Sequence, residues 1–294
     1  MLVTHFMRYL RVFCFLLTVL LLAGCDAEGS SSNSNPHSTS PPRLAVLSPA
    51  LADTLHALGH AELIVGRQRF DRFTDPKIPV VGDLTGLDYE RLIVVQPTHI
   101  VAQESANGLP ARLIQLAEQR GWIIEVIPLL SLEDTIASIR TLDQIAGGDG
   151  HAADALEERF RVALDRRKNL GRTALVASSS PLALIGPGAF HWEIVEQLGG
   201  TPIPQDGPAY FTTDAESLLD LNPQTIIAFA PGIAPDAPRA DYLGVAADLN
   251  IDAIRQNRVI LISDPKCMLP STAMLPVIET ILSEAERLGP PGDS

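Results

Sequence analysis

The sequence predicts an α/β fold of two lobes, each built from parallel strand–helix units, joined by one long connector helix. Three observations predict this class. From Arg43 onward, short apolar runs alternate with stretches of helical periodicity. A highly charged helical stretch, residues 151–170, interrupts this alternation near the middle of the chain. The alternation then restarts at Thr173, so the chain is long enough for a second lobe after the connector.

The first residues predict export rather than a part of the fold. Two arginines precede an apolar run at residues 12–22, which is shorter than the roughly 20 residues of a membrane-spanning helix. It fits the apolar part of a secretory signal, and we predict a signal peptide over residues 1–24. The following Cys25 completes a Leu-Ala-Gly-Cys sequence that resembles the lipoprotein box of bacteria, in which the cysteine is acylated. A plain signal peptide with a nearby cysteine is the alternative.

Residues 25–42 are predicted to be the lipidated cysteine and a flexible tether, because Ser, Asn and Pro dominate after Cys25. We therefore expect an exported protein, held to the cell membrane by its lipid anchor and facing the periplasm. Removal of the signal takes Arg8 and Arg11 away and changes the net charge from −13 to −15. Such an acidic chain without a basic patch excludes nucleic acid as a partner. Cys267 would be the remaining free thiol, so no internal disulfide is expected.

The N-terminal lobe is predicted over residues 43–148. Its first strand is the apolar run 44–47, after which Ser48 caps a helix that has Pro49 at its first position and ends at Gly59. The other predicted strands are residues 63–65, 79–81, 100–102 and 123–127. The other predicted helices are residues 88–95, 109–120 and 131–146, the last with Ser131 and Asp134 as a capping pair.

The connector is predicted over residues 149–171, with its helix at 151–170, and the C-terminal lobe over residues 172–294. In that lobe the predicted strands are residues 174–177, 225–230 and 259–262, and the predicted helices are residues 192–198 and 275–288.

The two halves contain a weak internal repeat. At a constant offset of 126, residues 87–102 align with residues 213–228 and share six identities, which include Asp88 with Asp214 and Glu90 with Glu216. The matches fall at corresponding points of a helix–turn–strand unit, so we predict two lobes of one plan. Convergence on a common strand–helix pattern is the alternative.

The chain lacks the motifs of the common catalytic sites. No phosphate-binding Gly-Lys loop, His-Glu-x-x-His helix or Gly-x-Ser-x-Gly turn occurs. Residues 186–188, Gly-Pro-Gly, predict a tight turn at the mouth of a cleft, and His56 and His60 are interpreted as surface residues. Cys267 and Met268 follow a predicted strand, and we expect them to pack or to make apolar ligand contacts. The sequence therefore predicts no enzyme, no catalytic residue, no metal site and no cofactor.

Several segments together resemble one family. Residues 43–66, followed by residues 79–82 and 87–102, are similar to the N-terminal lobe of substrate-binding proteins of ABC importers for cobalamin, haem and ferric siderophores. Residues 184–188 and 214–230 resemble the C-terminal lobe of the same family. The resemblance implies two Rossmann-like lobes joined by a single long helix, with a small-molecule ligand between them and little hinge closure. It also implies an ABC permease and its ATPase as partners.

In that family one glutamate on each lobe docks into a basic pocket of the permease. The matching positions are Glu90 and Glu216, the pair that the internal repeat also aligns. For Glu216 there is a competing interpretation, because residues 213–216, Thr-Asp-Ala-Glu, form a capping box. Charge reversal at both positions is expected to abolish transport and to leave ligand binding unchanged.

The resemblance places the ligand at the strand ends that face the cleft. The predicted ligand-binding residues of the N-terminal lobe are Ser48, Pro49, Arg69, Phe70, Asp71, Asp83, Leu84 and Gln103. Those of the C-terminal lobe are Pro187, Phe190, Tyr210, Phe211, Pro231, Lys266 and Met268. Phe70, Tyr210 and Phe211 would offer apolar faces to a large ring. Arg69 and Lys266 would pair with carboxylates or phosphate.

The ligand itself is predicted to be cobalamin or another corrinoid. Haem binders of this family often supply an axial tyrosine from the loop at residues 82–86, and this loop has none. Arg67, Arg69 and Arg72 could serve a ferric siderophore, so a siderophore or haem receptor is the alternative. An alternative of another class is an envelope lipoprotein that keeps the fold for a structural or sensory role without transport.

Overall fold

The computed structural model describes residues 40–83 and 85–292. The predicted signal peptide, Cys25, the tether as far as residue 39 and Leu84 lie outside the described residues. From Pro41 onward the chain forms one compact unit. In the part of the chain that the structure describes, no helix is both long and apolar enough to cross a membrane.

The N-terminal lobe is a six-stranded sheet with the order β4-β3-β2-β1-β5-β6. Its strands are β1 (Leu44–Val46), β2 (Ile64–Gln68), β3 (Val80–Asp83), β4 (Gly86–Leu87), β5 (His99–Gln103) and β6 (Ile123–Ile127). All neighbours pair in parallel except β4, which runs antiparallel to β3. Its helices are α1 (Pro49–Ala57), α2 (Tyr89–Val95), α3 (Ala111–Arg120) and α4 (Leu132–Ala146), and a short 3₁₀ helix spans Ala61–Leu63. The predicted capping box of Ser131 and Asp134 is confirmed.

The C-terminal lobe contains a second six-stranded sheet, ordered β10-β8-β7-β11-β12, with β9 paired to β7. Its strands are β7 (Arg172–Ser179), β8 (Leu182–Ile185), β9 (Thr201–Ile203), β10 (Tyr210–Thr212), β11 (Thr225–Phe229) and β12 (Val259–Ile262). Strands β7, β11 and β12 are parallel, whereas β8 runs antiparallel to both β7 and β10. Its helices are α6 (Phe190–Gln197), α7 (Ala215–Leu221), α8 (Arg239–Leu243), α9 (Asp252–Arg255) and α10 (Met274–Leu288), with a 3₁₀ helix at Gly244–Asp248.

The connector helix between the two sheets is α5 (His151–Leu164), which is shorter than predicted. Residues 165–171 are not helical. The Lys168 amide donates instead to the carbonyl of Leu198 at the end of α6, and Gly171 has a left-handed φ of 64°, so the chain leaves the helix before β7. Helix α4 also touches both lobes, since it packs on α1 and α6 and the Glu193 carboxylate accepts from the Leu132 amide at 2.7 Å.

One hydrophobic core extends through both lobes. It includes Leu51 of α1, Ile139 of α4, Phe160 of α5, Trp192 of α6 and Ile227 of β11. Side chains packed at this density resist displacement, because moving one lobe would expose apolar surface from the other. The shared core therefore opposes large closing movements of the lobes, as the resemblance implies.

The repeat predicted from the sequence is present in the structure. Helices α2 and α7 have the same bounds at an offset of 126, and so do strands β5 and β11. The residues after the two helices, Gln96 and Asn222, both adopt left-handed backbone conformations with φ of 46° and 37°. Arg43 directly precedes β1, and Arg172 is the first residue of β7. The guanidinium of Arg43 donates to the carbonyl of the last residue of α2, and that of Arg172 donates to the carbonyl of the last residue of α7.

The N-termini of these two helices are also equivalent. The Asp88 carboxylate accepts from the Arg91 amide and the Asp214 carboxylate from the Ser217 amide, each at 2.8 Å. The sequence interpretation that Thr213 caps the second helix is thus wrong: the N-cap is Asp214. An aspartate at this position satisfies an amide that the helix itself leaves without a partner.

Candidate functional site

The N-terminal lobe has a crevice at the point where its strand order reverses. Strand β1 leads to β2 on one side, and β5 lies on the other side. Ser48 follows β1 and Gln103 ends β5, and their side chains meet with 3.2 Å between Oγ and Oε1. Ligands of open α/β sheets bind at the carboxyl ends of strands beside such a reversal.

A cavity of about 380 Å³ opens at this crevice. The residues that line it are Leu47, Ser48, Pro49, Gln68, Phe70, Asp83, Thr85, Gln103, Glu104 and Ser105. The structure therefore brings together five of the residues predicted for the ligand, namely Ser48, Pro49, Phe70, Asp83 and Gln103. The other lining residues, such as Gln68 and Thr85, were not predicted from the sequence. Glu104 could have been predicted, because it directly follows Gln103 at the end of β5.

The chemistry of this cavity is acidic and rich in neutral polar groups. The Asp83 Oδ1 accepts from the Thr85 hydroxyl at 2.6 Å and from the amides of Thr85 and Gly86 at 2.9 Å. These hydrogen bonds, the Thr85 hydroxyl first, hold the pKa of the Asp83 carboxyl below its ordinary value. The Arg69 Nε lies 3.8 Å from Asp83 Oδ2, so this predicted anion-binding cation already faces a carboxylate. Glu104 is exposed and supplies a second acid.

Phe70 projects from the edge of the cavity, with 65% of its surface exposed. Its amide donates to the Gln68 side chain, and the next residue, Asp71, is only 2% exposed. The Asp71 carboxylate accepts from the amides of Phe73 and Thr74 and from the Thr74 hydroxyl. The buried Asp71 carboxylate thus holds the loop that presents Phe70, and its contact with ligand stays a prediction.

The C-terminal lobe has a smaller cavity, of about 220 Å³, at the carboxyl ends of β7 and β11. Its lining residues are Ala177, Ser178, Ser179, Phe229, Ala230, Pro231, Ile233, Asp241 and Tyr242. Pro231 is the predicted ligand residue found here. Tyr210, on β10, is 47% exposed, whereas Phe211 is half-buried and packs on the core of its own lobe. No motif predicts Tyr242, because α8 is a five-residue helix without clear periodicity.

Besides Tyr210 and Phe211, four predicted residues of the C-terminal lobe lie outside that cavity. Phe190 is 7% exposed in the shared core, with its ring centroid 3.9 Å from that of His191, and its contact with ligand stays a prediction. Met268 packs against the same core, and Pro187 is half-buried. The Lys266 ammonium is 2.7 Å from the Asp53 carboxylate, so it already has an anionic partner in the N-terminal lobe.

The contact between Lys266 and Asp53 also shows how the two sheets meet. Lys266 follows β12, at the carboxyl end of the second sheet, and Asp53 lies in α1, which starts at the carboxyl end of β1. The carboxyl ends of the two sheets are thus on the same side of the junction. Both cavities lie at these ends.

The histidines and the thiol have structural contacts. The interpretation of His60 as a surface residue without a role is wrong. Its Nε2 lies 2.8 Å from the carboxylate of Asp143, which is 2% exposed. The His56 Nε2 lies 3.2 Å from the Thr74 hydroxyl. Cys267 is fully buried, and burial raises the pKa of its thiol to about 11. The packing role expected for Cys267 is confirmed, and within the described ranges no group of three or more His, Cys, Asp or Glu is arranged to hold a metal ion.

The two glutamates proposed from the repeat occupy matching positions. Glu90 and Glu216 are both exposed in the first turns of α2 and α7. Each helix runs back along the strand that follows it, so its N-terminus lies at the carboxyl end of that strand. Both carboxylates are therefore at the same sheet edge as the cavity of their lobe.

No family model matches the sequence, and no curated protein matches it. Solved structures do match in fold. The periplasmic vitamin B12 binding protein BtuF of Vibrio cholerae is 17% identical, with a TM-score of 0.67 over 84% of this chain and 98% of that chain. The periplasmic haem binding protein HutB of Vibrio cholerae is 18% identical, with a TM-score of 0.65 over 85% and 98%.

A possible iron-binding, periplasmic solute-binding protein of Staphylococcus epidermidis is also similar. It is 18% identical, with a TM-score of 0.63 over 83% of this chain and 98% of that chain. The match extends over nearly the full length of all three proteins and includes both lobes. The chain therefore has the fold of the periplasmic binding proteins: two Rossmann-like α/β lobes joined by a helix, with a cavity on each lobe.

Proposed function

We propose that this chain is the substrate-binding lipoprotein of an ABC importer and that it captures cobalamin or a related corrinoid between its two lobes. The fold supports the binding role, since similar structures are periplasmic binding proteins for vitamin B12, haem and iron. The cavities of about 380 and 220 Å³ are at or below the lower end of the roughly 300–1,000 Å³ of small-molecule sites. A large chelate would therefore contact both lobes.

The charge of the N-terminal cavity is the observation that favours a corrinoid. Asp83 and Glu104 line it, and the Arg69 guanidinium lies 3.8 Å from the Asp83 carboxylate. Lys266 lines a different cavity, where its ammonium is paired with the Asp53 carboxylate. A carboxylate-bearing ligand such as haem would meet like charge there. A corrinoid with neutral amide side chains would instead find acceptors in the two acids and partners in Gln103 and its neighbours.

Exposed aromatic side chains provide the apolar part of the site. Phe70 and Tyr210 are 65% and 47% exposed, one from each lobe. Aromatic faces bury a large area for little loss of conformational freedom, which suits contact with a macrocycle. Solvent exposure of two large rings is otherwise unfavourable.

Titration of the mature chain with cyanocobalamin, haem and a ferric siderophore tests the ligand class. The variant used carries Cys25→Ser and lacks the signal peptide. We expect cyanocobalamin to bind most tightly, and we expect Asp83→Asn combined with Glu104→Gln to improve haem binding relative to cyanocobalamin. Glu118→Gln, an exposed change on α3, is the matched control. Tighter binding of haem to the wild type contradicts the corrinoid assignment, and binding of none at micromolar concentration favours the structural or sensory lipoprotein.

The proposed partners are an ABC permease with its ATPase, and the membrane through an acylated Cys25. Exposed Glu90 and Glu216, one on each lobe, would meet basic pockets of the permease. Glu90→Lys with Glu216→Lys should abolish uptake and leave the affinity for ligand unchanged, whereas Glu118→Lys should leave both unchanged. Continued uptake by the double variant would refute docking through these residues. Metabolic labelling with palmitate, compared between wild type and Cys25→Ser, tests the anchor.

A further inference from the structure

The junction between the lobes contains a buried carboxylate whose side-chain partners are all in the other lobe. Asp53 of α1 is only 6% exposed. Its Oδ1 lies 2.7 Å from the Lys266 ammonium, and its Oδ2 accepts from the hydroxyls of Ser271 at 2.7 Å and Thr272 at 3.3 Å. Lys266, Ser271 and Thr272 belong to the segment between β12 and α10 of the C-terminal lobe.

The same lysine reaches the loop that presents Phe70. The Lys266 ammonium is 5.1 Å from the centre of the Phe73 ring, a distance typical of cation–π contact. Thr74 of that loop contacts His56 of α1. Asp53 itself is one turn from the start of α1, where Ser48 and Pro49 line the N-terminal cavity. The junction is thus connected to two of the segments that form the ligand site.

Open space lies directly beside this junction. A cavity of about 380 Å³ is bounded by α1, α5, the start of α10 and the loop after β12, and Asp53, Lys266 and Thr272 are part of its wall. The shared core packs α1 against the C-terminal lobe, and at this cavity the hydrogen bonds and the ion pair of Asp53 add a polar contact between the lobes. A buried carboxylate is stable only while such partners remain in place.

We infer that Asp53 and Lys266 are positioning residues that form a latch between the lobes and set the width of the ligand cleft. The latch holds α1 and the Phe70 loop against the segment after β12. With it intact, the two cavities keep a fixed separation that suits one size of ligand. The effect of the latch on ligand affinity rests on the proposed function, whereas its effect on lobe separation does not.

The test measures lobe separation without any ligand. Spin labels are placed on Asn107→Cys and Asp236→Cys, two exposed positions in the loops after β5 and β11, in the mature chain with Cys25→Ser. Cys267 is fully buried and should not react with the label. The expected result is one narrow distance distribution for the parent and a broader, shifted one for both Asp53→Asn and Lys266→Met.

Two further variants separate the latch from general damage. Lys266→Arg keeps the cation and should retain the narrow distribution, and so should Glu279→Gln, which removes the acid of the exposed Arg159–Glu279 pair between α5 and α10. Circular dichroism must show the same content of helix and strand in every variant as in the parent. If Asp53→Asn does not fold, the distance measurement on Lys266→Met tests the latch alone. A narrow, unshifted distribution in Lys266→Met would overturn the inference.

A parallel titration with cyanocobalamin distinguishes failure of the latch inference from failure of the proposed corrinoid-binding function. If the parent binds cyanocobalamin, we expect a loss of affinity in Lys266→Met that Lys266→Arg restores. If the parent does not bind it, the corrinoid assignment fails while the distance measurement still decides the latch. Unchanged affinity together with a broadened distribution would refute the claim that the latch sets the cleft for ligand.

Discussion

The buried imidazole of His191 gives a quantitative prediction for stability against pH. The ring is 1% exposed, packed between Phe190 and Phe229, with centroid distances of 3.9 and 4.5 Å. Its Nε2 lies 2.8 Å from the Cys267 carbonyl, which only an N–H can satisfy, and its Nδ1 is buried without a partner. The neutral ring with its proton on Nε2 therefore fits the site, and protonation of Nδ1 would bury an unpaired charge.

Burial accordingly lowers the pKa of His191 from 6.5 to about 4, against a small opposing effect of the hydrogen bond to Cys267. Because the folded pKa is below the unfolded one, the unfolded chain binds more protons between these values. The stability is thus complete above about pH 6.5 and falls as the pH is lowered towards 4. Between pH 7 and pH 5 this group alone should reduce the free energy of unfolding by about 2 kcal/mol.

Urea denaturation at pH 7 and pH 5 measures this loss. His191→Gln keeps an N–H donor for the Cys267 carbonyl but does not titrate, so its loss between the two pH values should be about 2 kcal/mol smaller than that of the wild type. His151→Gln, at an exposed position, should behave like the wild type. Parallel pH profiles for the wild type and His191→Gln would refute the assignment of a neutral buried imidazole.

Three further predictions concern the fold. Asp88→Ala and Asp214→Ala should each lower the free energy of unfolding by about 1 kcal/mol, because each removes an N-cap; chemical denaturation that finds a loss at only one would contradict their equivalence. Gly148→Ala would place a Cβ in steric conflict with the buried Asp143 carboxylate, and we expect about 1–3 kcal/mol of destabilisation by the same assay. Phe160→Ala should cost about 3–5 kcal/mol, with Val162→Ala on the exposed side of α5 nearly neutral; similar losses in both would refute the assigned face.

The parallel strands could be predicted from sequence because they are buried on both faces. The centres of strands β5 and β11, residues 100–102 and 226–229, are apolar runs, and the turn that follows each one marks a cleft edge. The repeat could also be predicted from the sequence, because its identities include Asp88 and Asp214, the N-cap residues of α2 and α7. The antiparallel strands β8 and β10 were not predicted, because they pair with each other and with β7 and this pairing is not visible in local periodicity.

The ligand site could be predicted in part for the same reason. Ser48 and Gln103 stand at strand ends, where position in the chain predicts position at the crevice. The partner of Lys266 could not be predicted, because Asp53 is 213 residues away in the chain and carries no motif. Burial of Phe190 likewise depends on how α6 packs between the lobes, which its local sequence does not specify.

A crystal structure of the mature chain with cyanocobalamin shows directly whether a corrinoid lies between the two lobes. The proposal predicts one corrinoid between the lobes, in contact with Phe70 and the cavity of Asp83 on one side and with Tyr210 or the Pro231 cavity on the other. Its amide groups should lie within hydrogen-bond distance of Asp83, Glu104 or Gln103. A corrinoid bound elsewhere, for example in the cavity beside Asp53, or crystals that contain none at saturating concentration, would contradict the corrinoid assignment.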